Sequence, residues 1–268
     1  MMNRTIALSG IALACALTVS TSALAQTAAA EPAPAPNLTA NVTLTSNYKF
    51  RGQDQDVKYE SDGSMKTKSI KPAIQGGFDY AFGSTGFYVG NWNSSVGWLD
   101  GNSIESDVYG GYKFSAGGLD FDVGTLGYIY PGATQGNTWE IYGAMTYASD
   151  VVGAFTLKYS HTVSDDYFGW AGSKSGSGLK GTNTGYINLA YAKAIIPELT
   201  FKAAVGYTSF SSDISDQGVP DYTDYSVGLA YDFGGGLSLY GGVAGANKSG
   251  YFGDVNKSKA IVSLTKTL

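Results

Sequence analysis

Chemistry that needs a nucleophile and a base has one place to look. His161 is the only histidine, it follows Ser160, and Asp165 and Asp166 stand just beyond it. On a strand, however, neighbouring side chains point to opposite faces, so Ser160 and His161 do not pair. No other serine is marked as a nucleophile, and the pattern predicts a structural histidine near a membrane interface rather than a hydrolase. The acidic pairs Asp54/Asp56, Asp165/Asp166 and Asp213/Asp216 invite calcium, yet none has the spacing of a calcium loop. They read as solvated loop charge, so the sequence predicts no metal, no cofactor and no catalysis.

A third set of charges behaves differently. Lys49, Arg51, Lys71, Lys113, Lys158 and Lys202 alternate with apolar neighbours, as do Asp79, Glu105, Asp107, Asp120, Asp122, Glu140, Asp224 and Asp232. Alternation places all of them on the polar face of strands, where they would line an interior passage and tune its ion preference. They would also pair with one another and fill part of that interior.

The elements that must carry these residues are strands. From Leu38 to Gly52 the chain reads LTANVTLTSNYKFRG. Ala40, Val42, Leu44, Tyr48 and Phe50 share one face with Ser46. Asn41, Thr43, Thr45, Asn47, Lys49 and Arg51 share the other. Eleven further alternating segments follow, near residues 70–82, 87–96, 104–114, 119–123, 139–147, 155–159, 187–191, 201–207, 225–233, 237–243 and 260–268. In the third, Tyr88, Trp92 and Val96 are set against Asn91, Asn93 and Ser95. The connections alternate: long and polar (residues 52–68 and 164–182 above all), then short and glycine-rich, such as Gly83–Gly86 and Gly234–Gly236. An even strand number with this rhythm predicts an all-β fold, a closed antiparallel transmembrane barrel of about twelve strands. Its short turns would be periplasmic and its longer loops extracellular. About ten residues at roughly 3.3 Å, tilted near 45°, span about 23 Å, close to the apolar band of roughly 25 Å. Closure follows from the backbone, because each unpaired edge group in hydrocarbon costs several kcal/mol. Tyr48, Phe50, Tyr80, Phe82, Tyr112, Phe114, Tyr231 and Phe233 are expected in the interfacial girdles.

Composition agrees. Charged residues make up 15% of the chain, against roughly 25% in soluble domains, and 37 glycines and 20 tyrosines stand out. A soluble periplasmic β-sandwich also alternates, but it accounts for neither the loop rhythm nor the aromatic placement. The first residues read as a secretion leader, with Asn3–Arg4 as its positive start, Ile6–Val19 as its apolar stretch and Ala23-Leu24-Ala25 as its cleavage site. Residues 1–25 are thus expected to be removed, 26–37 to form an Ala/Pro-rich periplasmic linker, and 38–268 to form the barrel. Cys15, the only cysteine, falls inside the leader. Loss of Arg4 leaves 16 of the 17 cations against 22 acids, a net charge near −6 that argues against nucleic acid as a partner.

Several ordered segments resemble a known family. SNYKFRGQDQ at Ser46–Gln55, FYVGNWNSSV at Phe87–Val96, SDVYGGYKF at Ser106–Phe114 and YSHTVSDDYFG at Tyr159–Gly169 are similar to the TorF porins of proteobacteria. The resemblance extends to the closing VSLTKTL. It implies an outer-membrane porin, with outer-membrane lipid, small hydrophilic solutes and the barrel-assembly machinery as partners, the last reading the C-terminal strand. One departure is Leu268, where such barrels usually end in an aromatic. The expected function is passive diffusion of small hydrophilic solutes or ions, with Lys49, Arg51 and the first and fourth loops narrowing the outer mouth. A closed-lumen binding barrel is the second reading and a membrane-embedded lipid hydrolase the third. No oligomeric state follows from the sequence.

Overall fold

The computed structural model describes residues 37–61, 65–99, 102–172 and 178–268. The expected leader, and the expected linker except its last residue, lie outside them. Twelve strands follow in order: β1 (Leu38–Thr45), β2 (Ala73–Ala81), β3 (Phe87–Ser95), β4 (Ile104–Ala116), β5 (Leu119–Ile129) and β6 (Thr138–Ser149). They continue as β7 (Gly153–Thr162), β8 (Gly185–Ile196), β9 (Leu199–Ser209), β10 (Tyr222–Gly234), β11 (Leu237–Ala246) and β12 (Lys259–Thr267). Each pairs antiparallel with the next, and β12 returns to β1 with Thr43 opposite Thr265 and Leu44 opposite Leu264, closing the barrel. No strand edge is left to the hydrocarbon, as backbone physics demands.

Short connections join the strands at one end and the longer ones lie at the other. Leu268 N–H donates to the Ala40 carbonyl, so both ends of the barrel chain lie at the short-turn end. Outside, Val42, Leu44, Ile74, Val205, Val227, Leu229 and Leu264 are exposed. The girdle reading holds at the short-turn end, where Tyr80, Phe82, Tyr112, Phe114, Tyr231 and Phe233 ring the outer surface. Trp139, Tyr159, Tyr207 and Tyr225 mark the opposite end.

Some of the glycines and tyrosines serve one another. Inward tyrosine rings lie along the wall over glycines of the neighbouring strand. A Cβ added at Gly90 would meet Tyr109 at 2.4 Å, one at Gly124 Tyr142 at 2.5 Å, one at Gly206 Tyr186 at 2.2 Å and one at Gly228 Tyr240 at 2.6 Å. Glycine provides the seat and tyrosine fills it, and the hydroxyl bonds within the polar interior, as Tyr109 does to Asp79 and Tyr186 to Asp224.

Two expectations are corrected. The opening strand ends at Thr45 rather than Gly52, and the chain then turns into the barrel. Tyr48 and Phe50 therefore lie inside, not in a girdle: Tyr48 packs edge-on against Trp92 and Phe50 against Tyr128. In β3 the faces are reversed. Tyr88 and Trp92 point inward, the latter 3% exposed, while Asn91, Asn93 and Ser95 point outward. Alternation fixes which residues share a face, but register with the neighbours fixes which face is which.

Candidate pore constriction

The first long loop carries the candidate site. Lys49–Phe50 pairs with Gln53–Asp54 across a two-residue turn at Arg51-Gly52. Both turn residues have positive φ, 47° and 74°, as tight hairpin turns of this length require. Gly52 adopts this freely; Arg51 does so at a cost of order 1–3 kcal/mol that surrounding contacts must offset.

Those contacts reach across the lumen. Tyr48 Oη donates to Glu105 Oε1 on β4 (2.9 Å), and Tyr130 Oη donates to the other oxygen of the same carboxylate (2.8 Å). Arg51 Nη2 donates to both oxygens of Glu140 on β6, at 2.9 and 2.7 Å. Its guanidinium lies 4.2 Å from the centre of the Tyr186 ring on β8, a cation–π contact. Gly52 sits against the far wall, where an added Cβ would come within 2.6 Å of Asp224 Cβ and of the Gly245 carbonyl. The hairpin thus starts from β1 and touches β3, β4, β5, β6, β8, β10 and β11.

A second set of bonds holds the hairpin from above. Lys49 Nζ donates to the Gly52 carbonyl (3.0 Å) and to the Val255 carbonyl in the last loop (2.9 Å). Asp54 lies between Lys49 (3.4 Å) and Lys259 (2.9 Å). Burial pushes the Lys49 ammonium down to about 8, and the Asp54 carboxylate opposes that fall. Phe168 of the fourth loop packs on Phe50, Tyr128 and Tyr167, while Phe210, Ile214, Tyr222 and Phe252 form a second buried cluster with Tyr167. The loops at this end therefore form a packed lid over the hairpin.

On one side of the hairpin remains a cavity of about 60 Å³. Thr43, Thr45, Ser226, Ser238, Tyr240, Ser263 and Thr265 line it, with Lys49, Arg51 and Asp224 also on its wall. At roughly 10–15 Å³ for each water centre, it holds a few waters. On the other wall, Tyr88 Oη donates to Asp122 Oδ1 (2.7 Å) and is hydrogen-bonded to Tyr142. Lys113 and Lys158 lie over these two rings, at 4.6 and 4.1 Å.

The expected lumen charges divide by height. Glu105, Asp107, Glu140 and Asp224 are buried around the hairpin, with Lys49 and Arg51 on it. Lys113, Asp122 and Lys158 form the wall cluster. Asp79 accepts from Tyr109 (2.7 Å), and Lys202 shares the inward face of β9 with Gly206 and Thr208. Asp120 (bonded by Ser115 at 2.6 Å) and Asp232 (by the Gly234 N–H at 2.8 Å) lie at the short-turn mouth. Lys71 departs from the rest: it precedes β2, is exposed, and pairs with Asp56 at 3.2 Å on the outer rim. Ser160 is buried inside and His161 lies outside beside Tyr159, opposite faces as expected. Sequence reasoning missed Asp54, Lys259 and the tyrosines. Lys259 was legible, since it continues the inward set Thr265, Ser263, Ile261 of the last strand. Nothing local marks Tyr48 as an inward residue.

A family model described as "Bacterial protein of unknown function (Gcw_chp)" matches residues 29–268. The chain belongs to this family. No curated protein matches its sequence. Among solved structures, the KdgM porin is similar over 85% of this chain and 98% of its own, with a TM-score of 0.54 at 10% identity. The KdgM porin in complex with disordered oligogalacturonate gives 0.53 at 10% identity, over 85% and 97%. The NanC porin gives 0.53 at 12% identity, over 86% and 98%. At these identities the likeness is one of fold, and this Gcw_chp member shares the barrel fold of these porins.

Proposed function

We propose that this Gcw_chp member is an outer-membrane porin-like channel for passive diffusion of small hydrophilic solutes or ions, with the Lys49–Asp54 hairpin as its constriction. One observation carries the reading: a closed barrel with an apolar outer surface encloses titratable and hydroxyl side chains along its whole height. Membrane-barrel interiors are polar whether open or plugged, so the polar wall supports a wet lumen, and the water-sized cavity left beside the hairpin supports a passage through it. The resemblance of Ser46–Gln55 and later segments to the TorF porins supports the same assignment. Residues 1–25 serve as the secretion leader, 26–37 as the periplasmic linker and 38–268 as the barrel. The final strand is read by the assembly machinery, the outer surface meets lipid, and the protein performs no catalysis.

The paired hairpin favours a second reading, a closed-lumen barrel that binds at its outer surface. Full-length protein in a planar bilayer separates the two. Stepwise conductance is expected for the channel, whereas lasting silence from folded protein supports the closed barrel.

A further inference from the structure

Strand β3 shows the membrane an unusual surface. Its outward residues are Phe87, Val89, Asn91, Asn93 and Ser95, since Trp92 and Ser94 between them are buried inside. Register sets Asn91 between Phe78 of β2 and Val108 of β4, and Asn93 between Gly76 and Ser106. One strand further out, Gly76 faces Val42 of β1 and Ser106 faces Ile129 of β5. Because the strands tilt, these partners step toward the short-turn end on the β1 side and toward the long-loop end on the β5 side, so the two asparagines lie between them, among Val42, Phe78 and Val108, all exposed on the apolar surface. The headgroup girdles lie above and below them. On the opposite wall, the outward residues of β10 between its end aromatics are Val227 and Leu229.

Carboxamides facing lipid tails are costly unless every polar atom finds a partner. Part of that demand is met locally. Asn93 Nδ2 donates to Asn91 Oδ1 (2.5 Å) and Asn91 Nδ2 donates to the Asp107 carbonyl (2.8 Å). Ser95 Oγ accepts from the Ile74 N–H (3.1 Å), which leaves its own hydrogen for another acceptor. Among the described residues, no hydrogen bond is made to the Asn93 oxygen. The patch thus offers an acceptor and a donor side by side, and Gly76, Ser106 and Gly110 around it let another backbone come close.

We propose that this patch binds a second copy of the same chain, in a two-fold dimer whose axis runs along the membrane normal. Two copies inserted in the same direction hold each residue at the same depth, so the Asn91–Asn93–Ser95 row of one meets that row of the other. Donors and acceptors are then complementary by symmetry, and no charge lies in the row to repel its twin.

The test uses full-length protein carrying Cys15→Ser, in outer membranes and in lipid nanodiscs. Asn93→Cys is compared with Val227→Cys on the opposite wall under mild oxidation. The proposal expects disulfide-linked dimers several-fold more abundant at position 93. It also expects an Asn91→Leu/Asn93→Leu variant to shift from dimer to monomer mass while keeping the heat-modifiable gel mobility of a folded barrel. Equal cross-linking at both positions, a wild-type protein of monomer mass in nanodiscs, or adducts only with a different protein would overturn it.

Discussion

Arg51 is the residue on which the constriction turns. It holds a left-handed φ that its side chain must justify, and the return is a two-oxygen bond to Glu140 with a tyrosine ring at its back. Removing one partner of a buried ion pair costs about 3–5 kcal/mol, because the other charge stays behind. Arg51→Ala should therefore release the hairpin tip, and single-channel recording should show a larger unit conductance than wild type. Arg51→Lys should restore little of the closure, since an ammonium cannot engage both carboxylate oxygens and stack on Tyr186 at once. If Arg51→Ala conducts as wild type does, the tip is held by packing and the ion pair is incidental. Asp54 has a parallel role above the hairpin, between Lys49 and Lys259. Asp54→Ala should leave the buried Lys49 ammonium facing the partly buried one of Lys259 and destabilise hairpin docking by about 3 kcal/mol. Limited proteolysis within residues 49–60 reads that loss directly, and unchanged protection would refute it.

At the scale of the strand, inside and outside alternate residue by residue, so neighbouring cysteines should report opposite environments. Ser226→Cys lines the water cavity and should react with a small charged thiol reagent, whereas Val227→Cys faces lipid and should react only with a membrane-partitioning one. Reversed reactivity would mean the faces of β10 are misassigned. The glycine seats make a further demand. Gly206→Val would push into Tyr186, whose ring backs the Arg51 guanidinium, so it should open the constriction as Arg51→Ala does even though the two positions lie on different elements. A Gly206→Val channel indistinguishable from wild type would show that the Tyr186 ring is not needed to hold Arg51. Much of this was legible in the sequence. The outward face of β10 follows from Tyr225, Val227, Leu229, Tyr231 and Phe233 alone, because a period of two leaves one choice when one face is wholly apolar. Strand β3 was not legible in the same way. With Trp92 on one face and two asparagines on the other, hydropathy suggests the wrong side, and only pairing with β2 and β4 settles it. The inward turn after Thr45 was hidden for a related reason: alternation runs on through Tyr48 and Phe50 although the ladder to β2 and β12 has ended.

For the molecule as a whole, the wall and its obstruction are separate constructions. Twelve strands close through the β1–β12 ladder, and that closure uses no residue of the 49–60 segment. The constriction is a loop laid inside the finished wall and covered by the fourth, fifth and last loops. Folding of the barrel should then survive without the plug. Replacing residues 48–58 by a Gly/Ser linker of equal length should leave the heat-modifiable gel mobility and membrane insertion intact. Unit conductance should rise further than in Arg51→Ala, because both the Tyr48-to-Glu105 side and the Lys49–Asp54–Lys259 side are then freed. The ion preference should shift as well. Glu105, Asp107, Glu140 and Asp224 lose the two cations that the hairpin brings among them, leaving an acidic ring on the wall that favours cations. Reversal-potential measurements under a salt gradient would show this as a move toward cation selectivity. A plug-less barrel that inserts and folds, yet conducts with the same size and selectivity as wild type, would place the limiting section elsewhere, at the tyrosine–lysine cluster around Asp122.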